Sequence, residues 1–231
     1  MKKKKLARKC YLCEKEGACS RDHVPPRGIF PKEIRKINKK PLLTVPAHST
    51  CNNSYKQDDE LFRNFIIAHS HKTRQGRFAW DNTVVPSFNK NPGARIELLK
   101  RVERKFIKDD LLGAYVYSDG LQWEASLITR QIERINRGLY YYKTNQPLSL
   151  TIPIRYNLYD DIKYILPKII YIFNELNINL NWKHIIPGFF TYFFEMAEDD
   201  NEKGLSVLIF YNSIIFFCSI GSFDWTKIED N

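Results

Sequence analysis

Two pairs of metal-ligand residues at the same spacing, Cys10-x-x-Cys13 and His48-x-x-Cys51, constrain this chain more than any other feature. One such pair supplies half of a tetrahedral zinc site, and a second pair about 35 residues later can close it. The surrounding residues 6–56 are dense in Cys, Pro, Gly and Asn and show no helical period. A segment of that kind cannot bury an apolar core of its own, so a structural Zn²⁺ would take the core's place. The fourth ligand has two candidates: His48 preserves the regularity of paired knuckles, and Cys19 is its rival. Cys218 lies in an apolar run and reads as an inert core thiol. Five cysteines, three of them in the first twenty residues, make a poor disulfide framework and a good metal site in a reducing compartment, which points to the cytoplasm.

The formal net charge of +10 is concentrated at one end, where residues 1–60 carry fifteen Lys/Arg against seven Asp/Glu. Basic character beside metal ligands favours a polyanionic partner, because phosphate contacts release counterions. The longest apolar stretch, Leu205 to Ile220, is interrupted by Ser206, Asn212, Ser213 and Ser219 and falls short of the roughly 20 residues a membrane helix needs. Lys2–Lys5 lead directly into Leu6-Ala7-Arg8, which leaves no room for the apolar core of a secretory signal.

The chain divides into a module at residues 1–70, a linker or crossing segment at 71–94 rich in Gly, Pro and Asn, and an α+β region at 95–231. Within the module, Leu42–Val45 reads as a strand ending at Pro46. A helix follows from Asn53 or Ser54, with Ser54-x-x-Gln57 as a capping box and Leu61, Phe62, Phe65 and Ile66 as its apolar stripe. Further on, Ile96, Leu99, Val102 and Phe106 recur at helical spacing. A second helix is predicted over Trp123–Arg137, stopped by Gly138, and a third over Tyr159–Leu176, interrupted at Pro167. Strands are predicted at Gly113–Tyr117, Leu148–Arg155 and Phe189–Phe194, with a hairpin over Leu205–Cys218 turning at Tyr211-Asn212-Ser213. Tyr140, Tyr141 and Tyr142 read as packing residues more readily than as a platform for bases.

Between the two ligand pairs stand Asp22 and His23, followed by the stiff segment Val24-Pro25-Pro26, and Asn52 comes directly after the last thiol. A neutral imidazole can take a proton from water attacking a phosphodiester, since its pKa lies near working pH. Asp22 and Asn52 offer hard oxygen donors of the kind Mg²⁺ or Mn²⁺ prefers. Arg27 and Lys56 are placed to touch phosphates from the turn and from the helix.

Cys10-x-x-Cys13, Asp22-His23-Val24-x-Pro26, Leu43-Thr44-Val45-Pro46 and Cys51-Asn52-Asn53 together resemble the HNH endonucleases of the ββα-metal superfamily, over roughly residues 8–68. The resemblance implies a small zinc-stapled ββα-metal module, with a mixed α+β domain following it. It also implies a metal-dependent endonuclease acting on DNA, or on RNA by the same chemistry. In that family pattern His23 would be the general base, Asp22 and Asn52 the ligands of one Mg²⁺ or Mn²⁺, and the knuckle pairs the structural zinc site. The family's middle Asn has Asn38 as its nearest counterpart. The alternative is a zinc-knuckle module that binds nucleic acid without turnover. Cutting both strands from one site would call for a homodimer or a partner held by the C-terminal region, and a nuclease with an extra domain fits restriction, anti-phage defence, mobile-element or toxin roles alike.

Overall fold

Alternating Arg21, Asp22 and His23 lie on β1 (Ser20–His23), which pairs antiparallel with β2 (Thr44–Ala47), placing Asp22 opposite Val45 and His23 opposite Thr44. The structure is a computed structural model describing residues 8–109, 114–122, 124–159, 162–175, 179–198 and 200–222. Lys2–Lys5, Gly113, Trp123 and Leu176, singled out above, lie outside the described residues. A 3₁₀ turn (Arg27–Ile29) and the short α1 (Lys32–Ile37) connect the two strands. The β2 strand begins two residues later than predicted and contains Pro46, whose carbonyl accepts from the Tyr11 backbone N–H at 3.2 Å.

After β2 the chain forms α2 (Ser49–Asn53) and then α3 (Lys56–His69). The predicted capping box is absent: Tyr55 is the N-cap and makes no side-chain cap bond, while the Ser54 hydroxyl donates back to the Cys51 carbonyl at 2.8 Å. Phe62, Phe65 and Ile66 are buried as their spacing requires. The two paired strands are thus separated by α1 and followed by two helices, α2 and α3.

The segment expected as a linker is helical. It comprises α4 (Arg74–Ala79), a π-helical stretch (Trp80–Val84), α5 (Val85–Lys90) and α6 (Pro92–Lys100). Thr73 caps α4 by accepting from the Gly76 N–H at 3.0 Å, and Gly76 lies so close to the Ser70 carbonyl that no Cβ would fit. Pro86 sits in the first turn of α5, where its missing N–H costs nothing. Helical spacing misled the reading of residues 95–108: Val102 and Phe106 belong to β3 (Val102–Asp109), which pairs with β4 (Ala114–Leu121) in a two-stranded ladder. Phe106 remains 59% exposed, so its recurrence marked no core face.

α7 (Ala125–Thr144) runs beyond the predicted stop. Gly138 is inside the helix because a Cβ there would meet Val24 Cγ2 at 2.5 Å, and the left-handed residue that ends the helix is Asn145, at φ 58°. The remaining strands form one antiparallel sheet in the order β5 (Ile154–Tyr159), β9 (Ile214–Ile220), β8 (Gly204–Phe210), β7 (Phe190–Met196), β6 (Lys183–Ile186), and α8 (Ile162–Glu175) intervenes in the chain after β5. The β8–β9 hairpin turns at Tyr211 and Asn212, both at positive φ, as their sequence suggests. Residues alternate between two cores. Phe190, Leu208, Phe210 and Phe216 join the α3 and α7 side, whereas Phe193, Val207, Ile209 and Phe217 face Ile169 and Phe173 of α8. The first core runs without a break from Cys10 and Val45 to Ile220, so the N-terminal module and the large sheet share one interior.

Candidate functional site

Cys10, Cys13, His48 and Cys51 place one ligand atom each within 4.8 Å of one another, a cluster that could hold a metal such as zinc. The first pair sits in a tight turn closed by Glu14 N–H to the Cys10 carbonyl at 2.9 Å, with Glu14 at φ 61°. The second pair straddles the start of α2. The His48 backbone N–H points to Cys10 Sγ at 3.3 Å. His48 Nε2 faces the Glu16 carbonyl at 3.0 Å, which fixes the tautomer by donation and leaves Nδ1 toward Cys13 Sγ at 3.2 Å and Cys51 Sγ at 4.0 Å. Cys19, the rival ligand, is exposed and lies 3.5 Å from the Ser49 hydroxyl instead. Of the two candidates, His48 is the fourth member of the cluster.

Their surroundings set the thiols apart. Burial pushes Cys51 up to about 11, helped by Cys13 and Cys10. Desolvation also works against the Cys13 thiolate, but bonds from the Lys15 backbone, His48 and the other two thiols bring it down to about 7. A divalent ion among them would favour the thiolate at all three.

Strand alternation separates the next two residues. Asp22 faces α7 and is only 4% exposed. Arg134 of α7, itself 2% exposed, grips it through Nη2 at 2.7 and 2.6 Å and through Nε at 3.0 Å. Tyr11 donates its hydroxyl to the same carboxylate. Arg134 also pairs with Asp59, lies 4.5 Å over the Tyr55 ring and approaches the Asn52 side-chain oxygen at 3.5 Å. Burial disfavours the charge on Arg134, and Tyr11, Asp22 and Asp59 more than offset it, so its pKa lies above the usual guanidinium value. The donors proposed for a catalytic divalent ion, Asp22 and Asn52, therefore flank a guanidinium that saturates the carboxylate. With Arg134 in place these two residues do not fit Mg²⁺ or Mn²⁺.

His23 belongs to the opposite face. It is half-buried, and burial followed by the nearby Arg27 lowers its pKa below the usual imidazole value, with Arg35 and Arg21 adding to the effect and Asp22 opposing it. Arg21 is anchored on the hairpin, donating from Nε to the Thr44 hydroxyl and from Nη2 to the Thr44 carbonyl, both at 2.7 Å. Arg35 donates to the Phe30 carbonyl at 3.0 Å. The result is a neutral imidazole set among three guanidinium groups, an arrangement suited to a phosphodiester. Arg27 and Lys56 are both exposed, Arg27 beside His23 and Lys56 at the first residue of α3. Asn38 ends α1 and donates to the Lys40 carbonyl at 2.8 Å.

No protein-family model, curated protein or solved structure matches this chain.

Sequence reading missed Arg134, Arg21, Arg35 and Tyr11. A signal for Arg134 existed: Leu127, Gln131, Arg134 and Gly138 fall on one helical face, and two polar residues in such a stripe require buried partners. Asp22 and Asp59 are those partners, with Gln131 donating to Asp59 at 3.0 Å. Arg21 and Arg35 carried no distinguishing mark among the many cations of residues 1–60.

Proposed function

We propose that this protein is an HNH-type endonuclease hydrolysing phosphodiester bonds of DNA, with His23 as general base and a structural zinc ion on Cys10, Cys13, His48 and Cys51. The observation that carries the reading is the half-buried His23, on the hairpin beside Arg21, with Arg27 of the following turn and Arg35 of α1 near enough to keep it neutral. His23 takes a proton from water, the water oxygen attacks phosphorus, and the P–O3′ bond breaks. The departing oxygen then collects a proton from solvent. Arginine charge next to the imidazole offsets the charge that gathers on the phosphate oxygens. Arg27 and Lys56 contact the phosphates on either side of the scissile bond.

Cys10, Cys13, His48 and Cys51 would hold the zinc ion, and their bonds to it would tie α2 and the Tyr11 segment to the hairpin. The Mg²⁺ or Mn²⁺ implied by the resemblance takes no part in this mechanism, because Asp22 is committed to Arg134. Supercoiled plasmid incubated with zinc-loaded protein tests the reading. Wild type should nick it and His23→Ala should not, in Mg²⁺, in Mn²⁺ or without either. Equal nicking by the variant would refute His23 as base, and strict dependence on Mg²⁺ would show that Arg134 yields Asp22 to the ion.

One observation favours a second reading, a zinc-knuckle nucleic-acid-binding module without turnover. Arg134 occupies the space between Asp22 and Asn52, where the family pattern puts its catalytic ion. That reading predicts salt-sensitive DNA binding with no cleavage under any of the three conditions.

A further inference from the structure

We propose that the groove between β2 and the β6 edge of the large sheet binds a single-stranded segment of DNA. The groove has a volume of about 1160 Å³, and among the described residues its lining includes Arg21, Lys39, Lys40 and Lys183 but no Asp or Glu. Lys39, Lys40 and Lys183 are all exposed, and they approach from two parts of the fold, the segment before β2 and strand β6. Four cations without a carboxylate is the lining expected of a polyphosphate track.

Aromatic residues decide between one strand and two. Tyr142, 58% exposed near the end of α7, and the half-buried Trp182, at the entry to β6, both line the groove. A ring presented beside cations can stack on an unpaired base, whereas a duplex keeps its base faces covered. Tyr140 and Tyr141 are buried, so of the three consecutive tyrosines Tyr142 offers the most exposed ring. A second hollow of about 580 Å³ shares Arg21, Thr44 and Tyr142 with the groove, and there Arg8 and Lys9 add charge and Glu16 is the one acid among the described residues. Thr44 stands directly opposite His23 across the hairpin. A strand lying in the groove therefore runs along the hairpin that carries the imidazole. Its role as a path for substrate rests on the nuclease reading; the binding itself does not.

Fluorescence anisotropy with a short labelled oligodeoxynucleotide tests the proposal on the full zinc-loaded chain, in the His23→Ala background and without added Mg²⁺. The single strand should bind about tenfold tighter than the same sequence as a duplex, and Tyr142→Ala should remove about that factor. Lys39→Glu with Lys183→Glu should flatten the plot of log affinity against log salt by about 0.7 for each phosphate that is no longer neutralised. These positions are exposed, and a circular-dichroism melt will show that the variants stay folded. Duplex binding as tight as single-strand binding, or full affinity in Tyr142→Ala, would overturn the proposal. Tighter binding of the matching oligoribonucleotide would overturn its assignment to DNA. Failure of the nuclease reading looks different: the plasmid stays intact while single-strand binding and its dependence on Tyr142 persist.

Discussion

Asp22 and His23 are neighbours in the chain and have opposite fates, because successive strand residues face opposite sides of the hairpin. Asp22 is a structural acid. Removing its partner by Arg134→Met would strand the buried Asp22 carboxylate, leaving the partly exposed Asp59 to Gln131, and should cost about 3–5 kcal/mol, read as a lower urea midpoint at unchanged slope. His23 is the chemical group. Its pKa is held below 6.5 by burial and by Arg27, so it is neutral at pH 7 and ready to accept a proton. Cleavage should be level above that value and fall as pH drops through a midpoint lower than 6.5, in a pH–rate profile at constant ionic strength. Stability follows the same sign. The unfolded chain binds the His23 proton more readily, so the fold loses stability as pH falls below 6.5 and gains none above it.

At the level of elements, the zinc-type cluster, β2, α3 and the β8–β9 turn were legible in the sequence because each has a local cause. Ligand spacing, an apolar stripe at 62, 65 and 66, and Asn212 in a tight turn need no distant partner to be recognised. What could not be read depends on contacts across the chain. Gly138 has the look of a helix stop, yet Val24, more than a hundred residues earlier, needs the room that a side chain there would take. Gly138→Ala should therefore destabilise by about 1–3 kcal/mol through overpacking, although alanine suits a helix better. Chemical denaturation of that variant checks the sign. Residues 95–108 misled for another reason: Ile96, Leu99 and Phe106 are exposed, so their helical spacing reflects no buried face. Ligand choice is also decided in space, since Glu16 orients His48 and Cys19 points elsewhere. Elemental analysis should find one zinc per chain in wild type and in Cys19→Ser, with marked loss in Cys51→Ser. Loss in Cys19→Ser would contradict the assignment of His48.

On the scale of the whole molecule, the expected boundary between a nuclease module and a separate C-terminal domain dissolves into packing. Phe62 of α3 stacks edge-on against Phe210 of the large sheet at 5.8 Å, and the Tyr211 hydroxyl donates to the Ile29 carbonyl beside the hairpin. Arg130 and Arg134 of α7 hold Asp58 and Asp59 at the start of α3. The sheet and α7 thus form the platform that fixes the hairpin, and composition alone gave no sign of this because the contacts join residues far apart in the chain. Among the described residues no helix is long and apolar enough to cross a membrane. A shared interior should unfold in one transition, with chelator lowering the midpoint reported by Trp fluorescence and by circular dichroism together. The measurement that bears most directly on function is single-turnover cleavage of end-labelled DNA by zinc-loaded wild type and His23→Ala. A neutral imidazole acting as base predicts a rate lower by about 10²–10⁴ in the variant with DNA affinity retained. Equal rates in the two proteins would contradict it.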